Sequence, residues 1–212
     1  IVAPGNGGIA REFKTLPLNV ESNEEISQIV QEEGIDFVVV GPEVPLCNGA
    51  VDELNRAGIP AYGPNQSAAR LEGSKAFTKD FLNRHNIPTA SYGNFQEVEP
   101  ALRYLSTCAL PVVVKASGLA AGKGVLICES VEDAEAGIRD MLSGSSFGDS
   151  GKEVVIEEFL SGIELSCFVL TDGNDYVTFP MAKDYKRIGE GDTGLNTGGM
   201  GAISPVPFAD EK

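Results

Sequence analysis

Residues Val112 to Cys128 read VVVKASGLAAGKGVLIC. Apolar runs stand at both ends. Between them lie Lys115 and Lys123, with Gly118, Gly122 and Gly124. A P-loop places four residues between its first glycine and a Gly-Lys pair, then Ser or Thr, then a helix. Here three residues separate Gly118 from Gly122, Gly124 follows Lys123, and the next run is the apolar Val125 to Cys128. The stretch therefore reads as strand, glycine-rich turn, strand. Such a hairpin can lie over a polyanion as a lid, its backbone N–H groups facing the charge.

Upstream, the pattern alternates. TLPLNV reads as a strand, and Ser22 with Glu25 forms a capping box before a helix carrying Ile26, Ile29 and Val30, which Gly34 ends. DFVVV is a fully apolar strand, of the kind buried on both faces of a parallel sheet. A helix from about Leu46 to Ala57, stopped by Gly58, leads to the short strand IPAYG. This βαβαβ order predicts an α/β doubly wound parallel sheet over residues 1–70. Ligands of such sheets sit beyond the carboxyl ends of the strands. Glu43 and the loop PGNGG at 4–8 lie there.

After residue 70 the order becomes mixed, predicting an α+β domain over 71–212. SKAFTKDFLNRHN reads as a helix with Ser74 as its N-cap. IPTASY as a strand, an acidic helix near 97–106, the hairpin, a helix capped by Ser130 and Asp133, EVVIEEFL and IELSCFVLTDG follow. AKDYKRIGEGDTGLNTGGMGAISPVP lacks periodicity and reads as a long ordered loop lining a ligand.

Charge narrows the function classes. The chain has 212 residues and a net charge of −15. That argues against a nucleic-acid surface, which would show a basic face, and no apolar run is long enough to span a bilayer. Cys47, Cys108, Cys128 and Cys167 are widely spaced. They read as reduced thiols in a cytoplasmic setting, with Cys128 and Cys167 in apolar strands and no zinc site. His85, the sole histidine, reads as a helix C-cap or surface residue, which leaves no Ser-His-Asp or Cys-His unit.

Individual residues carry two readings each. Lys75, in the first turn of its helix, opposes the helix dipole; it is either a solvated lysine or a cation reaching an anion at the helix start. Lys79, one turn on, is expected to face solvent. Lys115 shares a strand face with Val113, where an unpaired ammonium is costly. Its partner is either a nearby Glu or a bound phosphate, the latter worth roughly 1.5–3 kcal/mol per charge-assisted hydrogen bond. Glu157 and Glu158 are adjacent in a strand, so at most one faces a given cleft.

GPEVPL, LEGSKAFTKDF, VVVKASGLAAGKGV, VVIEEFLSGIELS and GDTGLNTGGMGAISPVP together resemble the phosphoribosylamine–glycine ligase (glycinamide ribonucleotide synthetase) family of the ATP-grasp superfamily. The resemblance covers essentially the whole chain. It implies ATP-driven joining of glycine to 5-phosphoribosylamine through a glycyl phosphate, in purine biosynthesis. It makes Lys75 and Lys115 phosphate-binding lysines and Gly118, Gly122, Lys123 and Gly124 the lid over the triphosphate. It sets Glu157, Phe159 and Leu160 beside adenine and Glu164 at the ribose. It implies a substrate cleft lined by Glu43, Asp184, Lys186, Arg187, Asn196, Thr197, Gly198 and Gly199, with Lys115 and Arg187 in catalytic roles. Residues 1–70 become the domain preceding the ATP-grasp, 90–161 the lid and 162–212 the start of the central subdomain.

Departures from the pattern also carry expectations. The family's first glycine-rich turn and its metal-binding Glu and Asn fall outside this sequence. The chain therefore reads as an internal fragment, inactive alone, with the ligands for magnesium or manganese expected beyond Lys212. KASG replaces the commoner KADG, which puts the role of that Asp in question. Two alternatives stay open: another ATP-grasp carboxylate–amine ligase, and an inactive nucleotide-binding module. GDTGLNTGGMG disfavours the first, and a Glu-x-Asn stretch downstream in the parent would exclude the second.

Overall fold

A computed structural model of the chain describes residues 1–120, 124–191 and 193–209, with Asn196 described by its backbone alone. The elements run α1 (Asn23–Glu32), β1 (Val38–Val39), α2 (Glu43–Cys47), α3 (Ala50–Arg56), β2 (Ala61–Tyr62), α4 (Gln66–Gly73) and α5 (Lys75–Arg84). They continue with β3 (Tyr92–Phe95), α6 (Val98–Leu105), β4 (Val112–Ala116), β5 (Val125–Cys128), α7 (Val131–Ser143) and β6 (Val154–Glu158). β7 (Val169–Thr171), β8 (Tyr176–Thr178), β9 (Lys183–Gly189) and β10 (Thr193–Ile203) complete the order. No helix among the described residues is long and apolar enough to cross a membrane.

The first core gathers Ile26 and Val30 of α1, Val40, and Ala50, Val51 and Leu54 of α3. β1 and β2 pair in parallel, Val38 opposite Ala61. The strand expected over TLPLNV contributes only a bridge, Thr15 to Val2, because Pro17 has no N–H to continue a ladder. Half of the capping box forms: Ser22 Oγ accepts from the Glu25 N–H, while the Glu25 carboxylate reaches Asn19 N–H instead of the cap. The helix expected over 46–57 is two helices. α2 starts earlier, since Pro45 fits a first helical turn where no N–H is needed, and Gly49 breaks the path with φ of 84°.

The second core is a four-stranded sheet, ordered β3-β6-β4-β5, with α6 and α7 on one face. Its strand pairs are all antiparallel. Alternation sorts β4 cleanly. Val112, Val114 and Ala116 join Val154, Ile156, Ala134, Ile138 and Met141 in a dry layer. Val113 and Lys115 point to the other face with Val155 and Glu157, where α5 packs. β3 begins at Tyr92, later than IPTASY implied; the Glu158 side chain captures Ser91 N–H, and Pro88 has none to give.

The remaining strands form two hairpins, β7–β8 and β9–β10. The stretch expected to be a long loop is largely the β9–β10 hairpin. Its ladder slips twice, between Thr193 and Asn196 and between Asn196 and Gly201. Gly194 and Gly199 have φ of 83° and 128°. Such bulges erase the period-two signature that would have announced the strand. Cys167, expected in an apolar strand, is exposed and lies outside the named strands, while Cys128 is buried as expected.

Candidate functional site

Ser74 ends α4 and caps α5, its Oγ accepting from Phe77 N–H at 3.2 Å. That cap carries Lys75 to the edge of the β4–β5 turn. Lys75 N–H donates to Ser117 O at 2.8 Å, and Lys75 Nζ donates to Gly118 O at 3.0 Å. Ser117 ties the same junction from the other side. Its buried Oγ accepts from Ala76 N–H at 3.1 Å and lies 3.2 Å from Ser74 Oγ. The serine of KASG thus supplies a helix-start acceptor with its hydroxyl. Ser150 anchors the outer edge, its O accepting from Gly118 N–H and its Oγ donating to Leu119 O at 2.6 Å. A polar cleft of about 400 Å³ opens here, lined by Ser74, Ser117, Gly118, Ser150, Lys152 and Glu153 among others.

Lys115 lies on β4 just before this turn. Its Nζ is 2.8 Å from Glu157 Oε2 on β6. Lys79, expected to face solvent, is 6% exposed. One turn after Lys75, it shares that lysine's helix face and turns into the sheet. Its Nζ lies 3.4 Å from the same Glu157 oxygen and donates to Thr89 Oγ1 at 2.7 Å and Ala90 O at 3.1 Å. Glu157 is 7% exposed, so a buried carboxylate is shared by two ammonium groups. Glu158 points outward and is exposed. Beside them Tyr92 Oη donates to Asp80, which also accepts from Asn94 Nδ2.

Burial pushes the Lys75 ammonium below the ordinary lysine range; Glu72 opposes this, and Lys115 adds to it. Lys75, bonded to Gly118 O, and Lys115, on β4 three residues before Gly118, flank the same turn. Burial lowers Lys79 as well, against the pull of Glu157.

The other expected residues fall in separate places. Phe159 and Leu160 follow β6 and are 41% and 65% exposed. Glu164 is paired with Lys186, which also lies 3.7 Å from Asp184. That hydrogen bond to Glu164 raises the Lys186 ammonium above its usual range. Arg187 stands opposite Asn196 in the β9–β10 ladder. Thr197 Oγ1 donates to Lys186 O and accepts from Gly199 N–H, which holds the bulge; Gly198 sits between them. Glu43 opens α2, exposed, just beyond the end of β1. Gly124 closes the turn, its O accepting from Ala116 N–H. Gly122 and Lys123 lie outside the described residues. So does Lys212, the residue past which the metal ligands are expected. Among the described residues no group of three or more His, Cys, Asp or Glu could hold a metal ion. His85 caps the end of α5 and stacks on Phe81, ring centres 4.5 Å apart.

Sequence reasoning missed Ser117, Ser150 and Lys79 as parts of this junction. The four-residue spacing of Lys75 and Lys79 was the signal available for one of them.

Two family descriptions match the chain: phosphoribosylglycinamide synthetase, N domain, over residues 1–72, and phosphoribosylglycinamide synthetase, ATP-grasp (A) domain, over residues 73–212. A phosphoribosylamine–glycine ligase of Escherichia coli is 52% identical over 213 residues, covering 100% of this chain and 50% of the relative. The crystal structure of a phosphoribosylamine–glycine ligase from Thermotoga maritima superposes with a TM-score of 0.82 at 32% identity, over 97% of this chain and 49% of that one. The biotin carboxylase domain of a 2-oxoglutarate carboxylase from Hydrogenobacter thermophilus, solved with MgADP, shares the fold at a TM-score of 0.64 and 23% identity, over 78% and 38% of the two chains. The chain spans about half the length of the curated relatives it matches. By the extent of these matches, the chain belongs to the phosphoribosylglycinamide synthetase family.

Proposed function

We propose that the protein joins glycine to 5-phosphoribosylamine at the expense of ATP, giving glycinamide ribonucleotide, ADP and phosphate. One observation carries the reading: Lys75, bonded to Gly118 O, and Lys115, at the end of β4, stand at the root of one glycine-rich turn. Two ammonium groups, Lys79 and Lys115, share the Glu157 carboxylate next to that turn. Fixed cations and N–H donors are what a transferring phosphoryl group requires.

The chemistry follows in two displacements. A carboxylate oxygen of glycine bonds to the terminal phosphorus of ATP as the bond to the ADP oxygen breaks. The amine of phosphoribosylamine then attacks the acyl carbon of glycyl phosphate, phosphate leaves, and the new C–N bond forms with loss of a proton. Lys75 and Lys115 hold the phosphate oxygens through both steps, and the turn that contains Gly118 and Gly124 excludes water above them. Phe159 and Leu160 border the base, with Glu164 at the ribose. Asp184, Lys186, Arg187 and residues 196–199 line the acceptor cleft, with Glu43 at its margin. The division between the preceding domain and the ATP-grasp runs near residue 70. A divalent ion, magnesium or manganese, finds no donor set among the described residues, so no step is assigned to it.

The test is ADP formation by the complete protein with glycine, with and without phosphoribosylamine. Glycine-dependent ADP that requires phosphoribosylamine supports the reading. ADP formation indifferent to both substrates overturns it.

A further inference from the structure

Lys79 and its partner Glu157 are buried charges in this junction to which the proposed reaction assigns no step. The Lys79 ammonium donates to Thr89 Oγ1 at 2.7 Å and Ala90 O at 3.1 Å, and pairs with Glu157 Oε2 at 3.4 Å. Two hydrogen bonds and an ion pair fix the position of this ammonium. Its ring neighbour strengthens that hold, since Nζ lies 5.4 Å from the centre of Tyr92. The other side of the same Glu157 oxygen is Lys115, at 2.8 Å.

Without Lys79, Glu157 and Lys115 would form a neutral pair, with the Lys115 charge spent on its partner. With Lys79 present, the carboxylate is already balanced from behind. Lys115 then keeps one net positive charge to offer a ligand on its more open side; its side chain is 26% exposed, against 8% for Lys79. We infer that Lys79 is a positioning residue that offsets Glu157 and so frees Lys115 to grip a nucleotide phosphate. This rests on the reading of Lys115 given above, and the experiment separates the two.

ATP affinity is measured by calorimetry on the complete protein and on four variants: Lys115→Met, Lys79→Gln, Lys79→Met and Lys79→Gln/Glu157→Gln. Lys115→Met is expected to weaken binding about 10- to 150-fold, the loss of a charge-assisted hydrogen bond. Lys79→Gln is expected to weaken it about tenfold through the unbalanced carboxylate. Lys79→Met is the second variant, so that failure of one to fold leaves the comparison standing. The Glu157 carboxylate, expected beside adenine, is instead buried against Lys79 and Lys115; the double variant therefore restores the local net charge and is expected to return to within about threefold of wild type. A purely structural lysine would leave the double variant as weak as the single one, or weaker, and that outcome overturns the inference. So does unchanged affinity in the Lys79 variants while Lys115→Met loses it. Unchanged affinity in Lys115→Met overturns the reading of Lys115 itself.

Discussion

Gly118→Ala tests how tightly the turn is seated. A Cβ at this position would stand 2.7 Å from Ser150 Cα and 2.9 Å from Ser150 Cβ, where ordinary contact begins near 3.4 Å. The nearest atom is backbone, so it cannot swing aside as a side chain would. Two stretches of chain must part by about 0.7 Å. Parting them strains the Gly118 N–H bond to Ser150 O and the Lys75 bond to Gly118 O. Overpacking of this kind costs about 1–3 kcal/mol. The stiffer unfolded chain offsets about 0.4–1 kcal/mol. A net loss of about 1–2 kcal/mol remains, and at about 2–4 °C per kcal/mol in a chain of this size the melting point falls by about 2–8 °C. Calorimetry on Gly118→Ala measures it, with Gly162→Ala as control, since nothing lies within 4 Å of a Cβ there. A Gly118→Ala protein that melts with the control would refute the argument that Ser150 packs against the turn.

Three further outcomes are expected. Ser117→Ala removes the acceptor of the buried Ala76 N–H and should cost about 1–3 kcal/mol in chemical denaturation; a midpoint unchanged from wild type would contradict that bond. Lys115→Ala in the complete protein should abolish glycine-dependent ADP release while far-ultraviolet dichroism stays native, and full turnover would remove Lys115 from the reaction. Tyr92 is pushed up to about 12, first by burial and then by its bond to Asp80 and the Asp80 charge. Its folded value lies above the unfolded value near 10. The stability it lends is therefore full below pH 10 and lost as pH rises toward 12. Burial raises Tyr104 as well, so absorbance titration near 295 nm should show a late phenolate step that Tyr92→Phe diminishes by one tyrosine, and an identical titration in the variant would sink the assignment.

Sequence pattern exposed some of this architecture and hid the rest for physical reasons. Val112 to Ala116 and Val154 to Glu158 carry strong β patterns, and both are strands at the sheet's centre. Ser74, Ser22 and Ser130 each cap the helix expected of them. The β9–β10 hairpin escaped because glycine bulges break its alternation. The β4–β5 hairpin and Lys115 at its root were legible from the run itself, whereas Lys75 joined that turn only through the family resemblance. Lys79 offered only its four-residue spacing from Lys75, since a lysine on a helix reads as solvated until the acceptors that surround it are known. Ser117 was visible only as a departure from KADG, and its role needed the helix start that packs against it.

The two-faced sheet has a consequence for how this chain can vary in length. β4 sends Val112, Val114 and Ala116 into a layer with Ile138 and Met141, and Lys115 to the opposite side. One inserted residue before Lys115 would turn that ammonium into the hydrocarbon layer and strand a valine beside Glu157. Natural insertions and deletions should accordingly be absent from the strand and gather in the glycine-rich turn, where an added residue changes reach without changing which way any side chain faces.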